Sequence, residues 1–72
     1  MNEERSIHHM KCYLFRMAQE NWHLSSLEVL KIFQENQLFE YIHDCYDVLH
    51  LSSYQLALQD LETILKNRGI TI

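Results

Sequence analysis

Proline is absent from this chain, and glycine occurs once, at Gly69. Small sheet proteins turn between strands on glycine, so this scarcity points to helices joined by short polar turns. It also excludes a Gly-rich phosphate loop. Cysteine occurs twice, at Cys12 and Cys45, without the CxxC spacing of a metal or redox motif. One disulfide would use both residues, but their apolar neighbours favour free thiols in a reducing compartment. No apolar run approaches the ~20 residues that span a membrane. The start Met1-Asn2-Glu3-Glu4-Arg5 lacks the basic-then-apolar order of a secretory signal. The expected location is the cytoplasm, with no membrane partner.

Positive charge is missing where it would matter for nucleic acid. Six Lys and Arg stand against ten Asp and Glu, for a net charge of -4. Residues 32–65 hold no Lys or Arg, but they hold Glu35, Glu40, Asp44, Asp47, Asp60 and Glu62. A nucleic-acid binder needs cations to displace the counterions on phosphate. A helix-turn-helix reading of the second and third helices would present Glu40, Asp44 and Asp47 to DNA. Base readout relies mainly on Arg, Lys, Asn and Gln. A small dimeric DNA-binding regulator is therefore the alternative function, not the leading one.

What is present is an ordinary globular composition, 47% hydrophobic and 22% charged, in 72 residues. That is enough for one domain and too little for a deep enclosed active site. Ile7, Met10, Leu14, Met17 and Ala18 recur at helical spacing, which predicts a first helix over about 5–22. Ser25 and Glu28 form a capping box, with Leu24 and Val29 as its hydrophobic staple, and start a helix that Asn36 ends over 25–36. A third helix over 38–47 follows from Leu38, Tyr41, Ile42 and Cys45, with Leu49 continuing the stripe. The string His23-Leu24-Ser25-Ser26 returns as His50-Leu51-Ser52-Ser53, so Ser52 and Gln55 read as a second capping box, with Leu51 and Leu56 as its staple. A last helix over 53–68 carries Leu58, Leu61, Ile64 and Leu65, and Gly69 then reads as a C′ glycine. The expected fold is all-α, a compact single-domain bundle of four helices over 1–72.

Catalytic chemistry finds little to use. Ser25, Ser26, Ser52 and Ser53 are accounted for by capping, and no nucleophile, base and orienting group come together in the pattern. His43, Asp47 and His50 lie at i, i+4 and i+7, ligand types and spacing that zinc accepts on one helical face. Glu40 and Asp44 share that face, so the expectation is a solvated acidic surface and no metal. His8, His9 and Cys12 make a weaker cluster of the same kind. No cofactor is expected, and the chain reads as a non-enzyme.

The eight aromatics exceed what so small a core can fully bury. Tyr13, Trp22, Tyr46 and Tyr54 are the ones expected at the surface, where Tyr and Trp commonly anchor protein partners. Asp47 breaks a local rule, because a carboxylate near a helix C-terminus opposes the helix dipole. It reads either as a cap for a following turn or as part of a partner surface. The candidate partner-binding set is Trp22, Glu40, Asp44, Tyr46, Asp47 and His50. Its acidity fits a protein with a basic surface. Self-association into a homo-oligomer is also compatible with these features.

Leu24, Ser25, Glu28, Val29, Phe33, Tyr41 and Ile42, followed by Tyr46-Asp47-Val48-Leu49-His50, resemble the pattern of a family of short uncharacterised bacterial helical proteins. The Tyr-Asp-x-Leu-His string is its most specific part, and the likeness covers roughly residues 7–66. Members of that family often sit beside ADP-ribosyltransferase-like toxin proteins. The resemblance thus implies an antitoxin-like or accessory role. After the His the family continues with Thr and soon a Gly, where this chain has Leu51, Ser52 and Ser53.

Overall fold

The computed structural model describes residues 3–72. Met1 and Asn2, part of the non-signal start and of the expected 1–72 domain, lie outside the described residues. The fold is an all-α bundle with α1 over Glu3–Trp22, α2 over Ser26–Glu35, α3 over Leu38–Asp44, α4 over Tyr46–Leu49 and α5 over Tyr54–Asn67. The third expected helix is therefore two. It stops at Asp44 and restarts at Tyr46, with Cys45 as the joint (φ -105°, ψ 15°).

The helix α1 is the spine and packs against α2, α3 and α5. It buries Ile7, Met10, Leu14, Ala18 and Trp22 along one stripe. Glu3 and Glu4 in its first turn suit the positive end of the helix dipole. His23 ends it in the left-handed conformation (φ 56°), and the Leu24 amide donates back to the Gln19 carbonyl at 3.3 Å.

The Ser25 capping box forms as expected. The Glu28 amide donates to Ser25 Oγ at 3.2 Å, and the Ser25 amide donates to Glu28 Oε1 at 2.9 Å. The Ser25 amide, and after it the Ser25 hydroxyl, hold the Glu28 carboxyl below its ordinary 4.5. Asn36 ends α2, but not by turning left-handed. Gln37 takes that conformation (φ 53°), while Asn36 stays buried. The Asn36 side chain donates to the Ile32 carbonyl at 3.0 Å. Arg68 Nη1 donates to the Asn36 carbonyl at 2.9 Å and to its Oδ1 at 3.1 Å. That explains the burial of a polar residue, because every group taken out of water has found a partner.

The core centres on Phe33, fully buried, with the rings of Phe39, Phe15 and Trp22 at 5.0, 5.6 and 6.2 Å. Leu14, Leu38, Ile42, Leu61 and Leu65 close around it. At the C-terminus Gly69 (φ 79°) is the C′ glycine, and the Ile70 amide donates to the Leu65 carbonyl at 2.9 Å, a Schellman ending.

The second capping box does not form. The Ser52 amide donates to the Leu49 carbonyl at 3.2 Å, so Ser52 still belongs to the turn that leaves α4. Ser53 caps α5 instead, accepting from the Leu56 amide at 3.2 Å. That one-residue shift puts Leu56, not Gln55, at the position that would close a box. It also breaks the staple, leaving Leu51 79% and Leu56 51% exposed.

Candidate functional site

The corner at α4 holds most of the candidate residues, and the Cys45 joint explains its geometry. The Cys45 amide donates to the Tyr41 carbonyl at 2.9 Å and so completes α3. Its own carbonyl accepts from Leu49 at 2.8 Å and Val48 at 3.0 Å and so begins α4. Asp47 consequently sits in the first turn of a new helix, not the last turn of an old one. Its charge is on the favourable side of the local dipoles. The expected cap does not describe it, since no side-chain hydrogen bond to Asp47 exists among the described residues.

His50 turns back onto Tyr46. Its Nδ1–H donates to the Tyr46 carbonyl at 2.7 Å, and the two rings stack with centroids 4.7 Å apart and planes 10° from parallel. With Nδ1 donating, neutral His50 keeps Nε2 as an acceptor. Tyr46 is half-buried while Asp47 and His50 are exposed. Behind them an open cleft of about 390 Å³ runs between Met10, Tyr46, His50, Ser52, Ser53 and Tyr54. Tyr54 stacks on Tyr13 at 4.6 Å, and His9 lies 6.2 Å from Tyr13, so rings from α1, α4 and α5 gather at this end.

Two residues missing from the sequence-based set complete the corner. Val48 is 71% exposed, and Leu51 and Leu56, which follow within eight residues, are exposed as well. Val48 could have been found from sequence, since it falls off the stripe of Leu38, Tyr41, Ile42, Cys45 and Leu49. Leu51 could not, because its match to a staple position gives it a core role it does not take.

Glu40 and Asp44 are exposed on α3, as the acidic-face expectation requires. His43 lies 3.5 Å from Asp44 Oδ1 and 3.9 Å from Glu4 Oε2. Beneath them burial pushes the Tyr41 hydroxyl above its ordinary 10.0, with Cys45 and Asp60 acting the same way, so it stays neutral. Trp22 is corrected. It is 8% exposed, and its Nε1 donates to Glu62 Oε2 at 2.8 Å, fastening α5 to the end of α1. An indole whose ring completes the core and whose N–H is already bonded offers little to a partner. Among the described residues no three His, Cys, Asp or Glu side chains gather closely enough to hold a metal, and His43 and His50 have the separate partners just given. Cys12 is exposed and Cys45 half-buried, both as free thiols, and Cys12 Sγ lies 3.5 Å from His8 Nε2. No described helix is long and apolar enough to cross a membrane.

These observations define a small all-α protein whose distinctive features lie on its surface. More particularly, the chain belongs to the family described as Protein of unknown function (DUF3791), which it matches over residues 9–68. That span runs from the first turns of α1 to the cap of α5 and contains the whole α4 corner. No curated protein and no solved structure matches the chain.

Proposed function

We propose that the chain is a non-catalytic module that binds a protein partner through the α4 corner. The observation that carries this reading is the exposure of Val48, Leu51 and Leu56 within nine residues, beside Asp44 and Asp47 and in a stretch without Lys or Arg. Exposed apolar side chains rimmed by charge of one sign are what a complementary protein surface covers, and the sign selects a basic partner. The stacked Tyr46 and His50 supply a rigid aromatic anchor at little cost in side-chain entropy. The non-catalytic reading draws support from the serines. Ser25 and Ser53 accept from backbone amides, and Ser52 donates to a carbonyl, so each has a structural use. The finer assignment is an antitoxin-like or accessory protein of a bacterial toxin system, acting in the cytoplasm. It rests on the Tyr46-Asp47-Val48-Leu49-His50 string and the neighbours that string implies.

The test is affinity capture from the native host with two baits, the wild-type chain and Val48→Asp with Leu51→Asp. Both substitutions fall on exposed positions, so the two baits should melt alike. Expected is one stoichiometric protein held by the wild type, released by rising salt and lost with the variant. Equal retention on both baits, or salt-sensitive retention of DNA in place of protein, would overturn the proposal.

A further inference from the structure

On the shoulder of α1, away from the α4 corner, a second cleft of about 460 Å³ is lined by His8, Lys11, Cys12, Phe15 and Arg16, with Phe39 from α3. At about 100° per residue, these α1 positions cover one stripe of the helix, with Lys11 and Arg16 on its opposite margins. The floor is apolar. The Phe15 and Phe39 rings lie nearly parallel, 13° apart in plane with centroids 6.3 Å apart, and both remain half-buried.

The charge of this cleft runs against that of the chain. The protein carries a net charge of -4, yet two cations and no carboxylate line this opening. Elsewhere the cations that line clefts share them with acids, Lys66 with Glu62 and Arg16 with Glu20. Neither Lys11 nor Arg16 makes an ion pair among the described residues. Lys11 is half-buried, as a lysine is when its aliphatic stem lies along apolar surface and its ammonium reaches the rim.

We propose that this cleft is a binding site for a small aromatic carboxylate. The volume falls within the roughly 300–1,000 Å³ of ligand clefts. A planar apolar body stacks on the open faces of Phe15 and Phe39, where offset stacking is favourable. The carboxylate meets Arg16 or Lys11, and Arg is suited to a two-point contact with its oxygens. A cationic ligand meets two like charges, and a neutral one gains stacking alone. The site shares no residue with the α4 corner, so it stands or falls independently of the partner-binding proposal.

The experiment is an amide chemical-shift titration of the labelled chain with 2-naphthoate, 2-naphthamide and 2-naphthylmethylammonium. Expected are saturable shifts centred on residues 8–19 and Phe39 with the carboxylate, and binding weaker by about tenfold or more for the amide and the ammonium. Lys11→Glu with Arg16→Glu should weaken 2-naphthoate by a similar factor while the melting temperature stays close to wild type. Phe15→Ala is the less informative variant, because Phe15 also packs on Phe33. Absence of saturable shifts, shifts centred on the α4 corner, equal binding of the carboxylate and the ammonium, or undiminished binding by the charge-reversed variant would each overturn the proposal.

Discussion

The same four residues, His-Leu-Ser-Ser, lead into α2 and into α5 and adopt different structures. In the first copy His23 turns left-handed, Leu24 is half-buried, and Ser25 is the N-cap. In the second His50 stays helical (φ -72°), Leu51 is exposed, and the cap is Ser53, the fourth residue instead of the third. The sequence around each copy accounts for the difference. Glu28 stands three residues after Ser25 and closes the box from its far side. Gln55 stands three residues after Ser52 but makes no such bond. Upstream, His50 is anchored by its ring to Tyr46 and cannot swing to the left-handed region without breaking the 2.7 Å bond to that carbonyl. The turn leaving α4 therefore runs one residue longer. The first copy is a tight structural joint, and the second leaves apolar side chains in solvent.

The largest expected effect tests whether the α1–α2–α3 side carries the stability. Phe33→Ala removes the ring on which Phe15, Phe39 and Trp22 converge, and truncating a buried Phe costs roughly 3–5 kcal/mol. For a domain this small that is most or all of the margin, so the variant should be unfolded or nearly so at 25 °C. Leu51→Ala should shift stability by no more than about 0.5 kcal/mol, as exposed substitutions do. Urea unfolding of both decides it. A comparable loss in the two variants would erase the distinction between the regions.

This contrast also marks how far the sequence is legible. Helical periodicity locates Leu14, Ile42, Leu61 and Leu65 correctly, because each lies on an unbroken stripe whose burial is decided by spacing alone. Capping chemistry locates Ser25 and Gly69 for the same reason, since their partners lie within a few residues. The division at Cys45 is not legible. It depends on carbonyls being shared between two short helices, and the apolar stripe from Leu38 to Leu49 runs across it. Trp22 fails differently. Its burial depends on Glu62, forty residues away, which local patterns do not register. At the candidate site, the exposure of Asp44, Asp47 and His50 was readable from the polar face of the pattern. Val48 was readable too, since it lies off the apolar stripe, whereas Leu51 emerges only once the turn after α4 is seen to run long.

Of intermediate size is the effect of the caps. Ser25→Ala removes the hydroxyl that accepts from the Glu28 amide, leaves the backbone half of the box in place, and should cost about 1 kcal/mol. Ser53→Ala likewise loses one cap bond and should cost a similar amount, while Ser52→Ala, in the position the repeat nominates, should cost least of the three. The box also carries a pH signature. Because the folded state lowers the Glu28 carboxyl from 4.5, its contribution is complete above that value and is lost as the pH falls through the lowered one. The wild type should therefore lose its advantage over Glu28→Gln only below about pH 4.5. Melting curves of the pair between neutral and acid pH would show it. A gap that stays constant into acid would mean that the ionised carboxylate is not what closes the box.

The smallest expected effect on stability, and the one that separates the two copies by role, belongs to Asp47. A carboxylate in the first turn of a helix gains a few tenths of a kcal/mol to about 1 at most from the aligned amides. Here α4 is only four residues long, and Asp47 is exposed without a hydrogen bond, so the low end applies. Asp47→Asn keeps the shape and removes the charge, and its unfolding midpoint should sit within about 0.5 kcal/mol of wild type. If the corner binds a basic partner, the same substitution should slow association and flatten its dependence on salt, because a rim charge acts mainly on the encounter. Dissociation should change less, since Tyr46, Val48 and Leu51 remain in place. Kinetics of the captured partner at two ionic strengths would separate these effects. An unchanged association rate and an unchanged salt slope, with the fold intact, would leave Asp47 as helix chemistry alone and restrict the partner surface to its apolar part.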